Sequence, residues 1–386
     1  MIYNYLYSFK RIDYIILLLF FLHTAPFLRI GISDAFVTLV SSLILTFVYF
    51  FESYNKERPL LRIIIILSCL SINYLLNNCG VGALLGCWEL FVILMLCPHM
   101  KLSECLFKTL FIFCLFILIV YIYWLYTHPI LYTYGAEINS NQVGLFAFYM
   151  VSFITLFSPN YKKRSVVFLL LIQLLTFGFI TTSECRSAQF AQLFPIAVLM
   201  FMLFSKTVFI EKIIEVIIKI YPFFVWGGII IALFSIINLD DLENVVGNLS
   251  EAIGNKKGAT LSLRGDIWKE SFDYFCKTPF VGTGTHLHLK SFKILALHSS
   301  AMNILVFFGM FVFFIIYSMI YNLLRKISFY LYCDLSVILS FVVFMGVLVT
   351  SYVESTLMDY FKFYSFLPLF FAFSRINSIE DDNLYL

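Results

Sequence analysis

Charge is scarce in this sequence. Only 13% of its 386 residues are Asp, Glu, Lys or Arg, against 61% hydrophobic, which leaves far too little polar surface to cover a soluble globule. The net charge of +3 is spread thinly, with no dense Lys or Arg block of the kind that grips nucleic acid or acidic headgroups, so nucleic acid is not an expected partner. The nine cysteines are scattered singly, mostly inside apolar stretches (Cys69, Cys97, Cys105, Cys114). Without a C-x-x-C or a Cys/His cluster they read mostly as small core fillers, and no metal site is expected. A G-x-x-x-x-G-K-[ST] phosphate loop, a dinucleotide fingerprint and an H-E-x-x-H are all absent, as is a cytoplasmic segment large enough to bind a nucleotide sugar. No cofactor is therefore expected, and any glycosyl donor would have to arrive in the membrane already activated. The strict apolar/polar alternation of a transmembrane β-barrel is missing too.

Long hydrophobic runs are what the sequence does have. Apolar stretches bounded by charges, Pro and Asn give twelve candidate spans, at 12–30, 34–52, 60–77, 79–97, 103–126, 142–158, 165–183, 187–205, 220–238, 299–322, 328–350 and 357–374. The expected class is all-α, a polytopic transmembrane helix bundle forming one integral membrane domain over 1–386. Lys10 and Arg11 ahead of the first run resemble a signal peptide, but the following His-Thr-Ala-Pro is a poor cleavage site, so the run reads as an uncleaved first helix. With the N-terminus inside, Lys10, Arg11, Lys56, Arg58, Arg62, Lys101, Lys162, Lys163, Arg164, Lys206, Lys212, Arg325, Lys326 and Arg375 all fall on the cytoplasmic side, and the short outer loops keep only Arg29 and Arg186. Adding or dropping one helix would move Arg325, Lys326 and Arg375 outside, so the count is even and both termini are cytoplasmic.

One connection is not short. Residues 239–297 are expected to form a large periplasmic loop, and a loop of that length is usually functional or disordered. Within it Trp268, Phe272 and Phe275 recur at spacings of 4 and 3, with Asp266, Glu270, Asp273 and Lys277 on the opposite side. This predicts an amphipathic helix of about four turns, ended by Pro279 and the Gly282-Thr-Gly284 turn. Arg264, four residues before Trp268, extends the apolar stripe. No internal repeat or low-complexity segment is present.

Three residues at the expected outer face have chemistry to offer. Arg186 stands near the start of a span, where free backbone N–H groups and the helix dipole favour an anion, and its planar fork matches phosphate oxygens. Arg264 opens the amphipathic helix, and His298 directly precedes another span. Together they would hold a diphosphate and manage one proton. The plainer readings are an interfacial anchor for each arginine and a helix cap for the histidine. The loop also has seven acidic and seven basic residues, so no net basic field supports the functional reading. Met302, Leu305 and Gly309 follow His298 at spacings of 4, 3 and 4, which puts Gly309 near the histidine's helix face, where a glycine lets a neighbouring helix approach. Glu89, Lys108 and Asp334 lie within apolar stretches, as functional groups or as pairing and snorkelling charges. Glu354 and Asp359 are better placed to meet Arg186 or Arg264. Cys185 and Cys276 are both expected on the oxidising side, where a disulfide between them is one outcome.

The order of motifs resembles the O-antigen ligase and polymerase superfamily of bacterial envelope glycosyltransferases. It is carried by Asn139-Ser-Asn141-Gln-Val-Gly144, Ser183-x-x-Arg186-Ser-Ala188, Ser262-Leu-Arg264-x-x-x-Trp268, Pro279-x-x-Gly282-x-Gly284, and His298-Ser299 followed after nine residues by Gly309. The likeness covers roughly residues 139 to 360, and the first five spans match in hydropathy alone. It implies a twelve-helix bundle in the bacterial inner membrane, an undecaprenyl-diphosphate-linked glycan donor, a membrane-lipid environment and a metal-independent transfer on the periplasmic face. Ligases pass the finished O-antigen to the lipid A-core oligosaccharide, whereas polymerases extend one lipid-linked chain with another's repeat. His298-Ser299 fits the ligase pattern, although Ser299 replaces a commoner Asn and Val312 stands where ligases often have Gly, Thr or Tyr. On this likeness His298 is the base and Arg186 and Arg264 bind the diphosphate, with Glu354, Asp359 and Asn141 in support. A multi-span lipid-glycan transporter is the non-enzyme alternative.

Overall fold

The computed structural model describes residues 9–27, 32–53, 59–77, 80–127, 140–183, 185–204, 207–237, 260–285, 297–359 and 361–383. Arg29, Lys56, Arg58, Asn139, Lys206 and most of the expected loop (239–259 and 286–296) lie outside the described residues, as does the side chain of Arg264. The described chain is 84% helix with no strand, so the expected all-α class holds.

The helices are α1 (Arg11–Thr24), α2 (Asp34–Ser53), α3 (Pro59–Asn77), α4 (Val81–Leu96), α5 (Glu104–Thr127), α6 (Ser140–Leu156), α7 (Lys163–Thr182), α8 (Arg186–Phe204), α9 (Thr207–Ile237), α10 (Thr260–Phe275), α11 (Ser300–Ser328), α12 (Leu335–Val353) and α13 (Lys362–Asn383). Runs of Leu, Ile, Val and Phe almost free of charge make them. In lipid a helix satisfies its own backbone, which is why such runs adopt no other form. Eight of the described helices are long and apolar enough to cross a membrane: α2, α3, α4, α5, α7, α8, α11 and α12. The other expected spans are helical but differ in kind. α1 has only 14 residues, α6 is a shorter apolar helix, α9 opens with Glu211, Lys212, Glu215 and Lys219, and α13 closes with Arg375, Glu380, Asp381 and Asp382.

α12 is the core helix, buried along nearly its whole length and packed against α6, α8, α9, α11 and α13. A Cβ on Gly346 would lie 2.8 Å from the Ala191 carbonyl oxygen, so α8 and α12 cross almost in backbone contact. α3 lies at the edge, with Leu75 and Leu76 76% and 65% exposed, as suits a lipid-facing helix.

Basic residues remote in sequence meet at one end of the bundle. Lys10 Nζ donates to the Lys101 carbonyl (3.1 Å), Lys101 pairs with Asp381 (2.6 Å), Lys326 lies 3.8 Å from Glu380, and Arg375 bonds Glu104. Lys10, Lys101, Lys326 and Arg375 are four of the residues that the charge argument places on a single side. At the opposite end α6, α8, α11 and α13 begin and α12 finishes.

α11 is interrupted at Gly309 (φ 80°, ψ 175°). The interruption frees backbone groups that the 279–285 segment satisfies. Thr283 N donates to the Val306 carbonyl (2.7 Å), Gly284 N to that of Phe307 (3.1 Å), and Met310 N to that of Pro279 (2.9 Å). From α3, Asn73 Nδ2 donates to the carbonyls of Phe308 (3.0 Å) and Val281 (2.7 Å), and Asn77 Nδ2 to that of Val281 (2.7 Å). The break is tolerated because neighbouring protein groups satisfy the backbone that it frees. The sequence pattern is corrected on two points here. What approaches Gly309 is the Phe280–Gly282 backbone rather than a helix, and His298 does not share its helix face, because His298 precedes the helix with left-handed backbone and Gly309 is itself non-helical.

Candidate functional site

At the end opposite the basic residues, Asn141, Glu354 and the turn that carries His298 are linked by hydrogen bonds, and Cys185, next to Arg186, bonds Asn141. The first half of this set is built by α6 and α8. A Cβ on Gly144 would lie 2.3 Å from Cys185 Cβ, so the two helix starts touch through the missing side chain. Cys185 Sγ donates to the Asn141 carbonyl (3.3 Å). The Asn141-x-x-Gly144 and Ser183-x-x-Arg186 motifs are thus one packed unit, with half-buried Arg186 as the first residue of α8. Asn141 Nδ2 donates to Glu354 Oε1 (3.1 Å) at the end of α12. Glu354 is only 8% exposed, so its carboxylate is directed into the protein rather than to solvent.

The second half is the turn that carries His298. Ser299 Oγ accepts from Met302 N (3.3 Å) and caps α11. His298, half-buried, has φ 48°, the left-handed region that a non-glycine residue enters only when its surroundings hold it there. They do so from both sides. Trp268 Nε1, from the buried stripe of α10, donates to the Leu297 carbonyl (2.6 Å). The Glu354 carbonyl accepts from Ser300 N (3.2 Å) and Ser300 Oγ (3.1 Å), Leu357 N donates to Ser300 Oγ (2.9 Å), and Asn303 Nδ2 donates to Ser355 Oγ (2.9 Å). Glu354 therefore joins the two halves, its side chain to Asn141 and its backbone to the His298 turn.

Arg264 lies in α10 one turn before Trp268. Asp359 belongs to the same α12–α13 loop. Its side chain opens to the surface on one side, yet its carboxyl is pushed up to about 7, mainly by the desolvation of the protein around it, with Lys362 opposing and the Glu354 and Asp34 carboxylates reinforcing the rise.

Other expectations resolve plainly. Asp334 caps α12, accepting from Ser336 N (2.8 Å), and Lys108 is exposed near the start of α5. Cys185, buried against α6, and exposed Cys276 are not joined, so the disulfide considered from the sequence does not form. Glu89 pairs with Lys362, which the sequence reading had not singled out. The signal available was a lysine at the head of an apolar run, which reads equally well as an interfacial anchor.

The α8 start offers backbone N–H groups and an arginine to an anion, and the second half offers an imidazole on a turn whose backbone is held by Trp268 and Glu354. No protein-family model matches the chain, and no curated protein is similar to it.

Proposed function

We propose that this chain is an O-antigen ligase, a bacterial inner-membrane glycosyltransferase that moves a glycan from undecaprenyl diphosphate to the lipid A-core oligosaccharide on the periplasmic face. The observation that carries the proposal is Glu354, whose side chain bonds Asn141 and whose carbonyl bonds Ser300, linking two of the family-like motifs, while Cys185 bonds Asn141 from a third. Its position at the end away from Lys10, Lys101, Lys326 and Arg375 supports an outer location, because short cytoplasmic loops hold the basic excess. On this proposal the chain crosses the membrane twelve times, with α10 in the periplasmic loop.

The acceptor hydroxyl attacks the anomeric carbon, its proton passes to His298, and the bond to the lipid diphosphate breaks. Negative charge grows on the departing diphosphate, and Arg186 and Arg264 stabilise it together with the α8 N-terminus. Asn141 holds Glu354, which orients the His298 turn through its backbone. Deletion of the gene tests the proposal. Long lipid-linked polymer should accumulate while surface lipopolysaccharide ends at the core. Core bearing a single repeat would instead assign the polymerase reaction, and an unchanged surface and lipid-linked pool would remove both.

A further inference from the structure

The most unusual chemistry in the bundle lies outside that site. Glu89 on α4 and Lys362 at the head of α13 form an ion pair, Nζ to Oε2 2.7 Å, with side chains 0% and 1% exposed. Ser41 of α2 donates to the other carboxylate oxygen, and His23 Nε2 of α1 lies 3.7 Å from it. The His23 ring stacks on Phe363 with centroids 5.2 Å apart. Gly86, one turn before Glu89, leaves room for the ammonium, since a Cβ there would stand 3.3 Å from Nζ. The next residues of α13 are fixed as well, Tyr364 by Thr24 of α1 and Ser365 by Tyr149 of α6 (2.7 Å).

A buried ion pair adds little net stability, because desolvation offsets most of the attraction, and apolar residues of the same volume often serve as well. What it does supply is direction. Lys362 N donates to the Asp359 carbonyl (3.0 Å), and Asp359 N and Met358 N donate to that of Ser355 (2.9 Å each). From there Leu357 N and Ser355 Oγ reach Ser300 and Asn303. An unbroken run of hydrogen bonds therefore leads from the ion pair through the α12–α13 loop to the turn that carries His298.

We infer that Lys362, fixed by Glu89, is a positioning residue that sets the register of the α12–α13 loop and through it the placement of Glu354 and His298. Its catalytic consequence rests on the glycosyltransferase proposal, whereas the loop register itself does not. The test uses the full-length chain in lipid nanodiscs, with the double variant Glu89→Leu and Lys362→Met, which leaves no unpaired buried charge. Hydrogen exchange at the Ser300 and Leu357 amides should quicken by about tenfold or more, with α7 and α8 protected as before. Undecaprenyl diphosphate should bind as tightly as to the wild type, while kcat for transfer falls on the order of 10²-fold at unchanged donor KM. Lys362→Arg, which keeps the charge, should recover most of the rate. Should the double variant fail to insert, Glu89→Gln with Lys362→Gln carries the same expectation. Wild-type exchange at Ser300 and Leu357 in either folded double variant would overturn the inference. A wild-type chain that transfers no glycan would end the proposed activity, while the exchange result would still decide the register.

Discussion

Replacing Gly309 with alanine adds one carbon where two stretches of backbone cross in close contact. At φ 80° and ψ 175° the residue occupies a region essentially reserved for glycine, and holding an L-residue there costs about 1–3 kcal/mol. The new Cβ would stand 2.3 Å from the Phe280 carbonyl oxygen and 2.6 Å from Gly282 N. Both contacts are backbone and cannot rotate away, so the overpacking adds about 1–3 kcal/mol. Relief comes only by parting α11 from the 279–285 segment, which would strain the bonds from Thr283, Gly284 and Met310. The expected loss is about 2–6 kcal/mol, enough to unfold a marginal membrane domain. Gly178→Ala in α7 is the control, because nothing lies within 4 Å of its added Cβ and alanine favours a helix by about 1 kcal/mol. Thermal unfolding of both variants in one detergent, followed by helical circular dichroism, gives the comparison. Equal midpoints would refute the claim that the two segments are locked through Gly309.

Three other outcomes are expected. Asn73→Ala removes two hydrogen bonds to buried carbonyls beside the break and should cost about 1–3 kcal/mol; a thermal midpoint at the wild-type value would dismiss Asn73 as a support of the break. Asp359 has a folded-state pKa of about 7, above its ordinary 3.8, so the stabilisation belongs to the protonated carboxyl, complete below 3.8 and lost as pH rises through 7. The unfolding midpoint should accordingly fall across neutral pH, and Asp359→Asn should flatten that fall. His298→Ala should lower transfer on the order of 10² to 10⁴-fold with donor affinity kept, while Arg186→Lys should lose about tenfold or more because the charge stays but the fork is gone; full transfer by His298→Ala would remove the base assignment.

Helices were legible because lipid-facing runs and amphipathic stripes leave periodic traces. The 4-and-3 spacing of Trp268, Phe272 and Phe275 predicts α10, which runs Thr260–Phe275 with Trp268 and Phe275 buried and Asp273 and Lys277 exposed. The basic residues carried more than local information. Sorting them by loop parity groups Lys10, Lys101, Lys326 and Arg375, and these meet at one end of the bundle. Span lengths were less visible, because α6 is a short apolar helix and α13 is apolar for only part of its length, and hydropathy does not mark where such helices are cut.

Backbone strain was the least legible feature of the candidate site. Nothing in the letters His298-Ser299 says that the histidine turns left-handed, because that conformation comes from bonds made by residues far away, Trp268 to Leu297 on one side and Glu354 to Ser300 on the other. The glycines of Pro279-x-x-Gly282-x-Gly284 suggested a turn, yet their main demand is for space, since a Cβ on Gly282 would lie 2.5 Å from the Phe307 carbonyl oxygen. These constraints bear on the same short stretch of α11. Its start is held by the α12–α13 loop and its end by the 279–285 segment, so Ser300–Phe308 is a half-helix clamped at both ends. A helix free to slide by one residue would carry His298 about 1.5 Å, more than the proton transfer of the proposed reaction tolerates. The break at Gly309 opposes that slide, because it separates the nine residues Ser300–Phe308 from the long remainder of α11 and leaves them bonded to the bundle on their own.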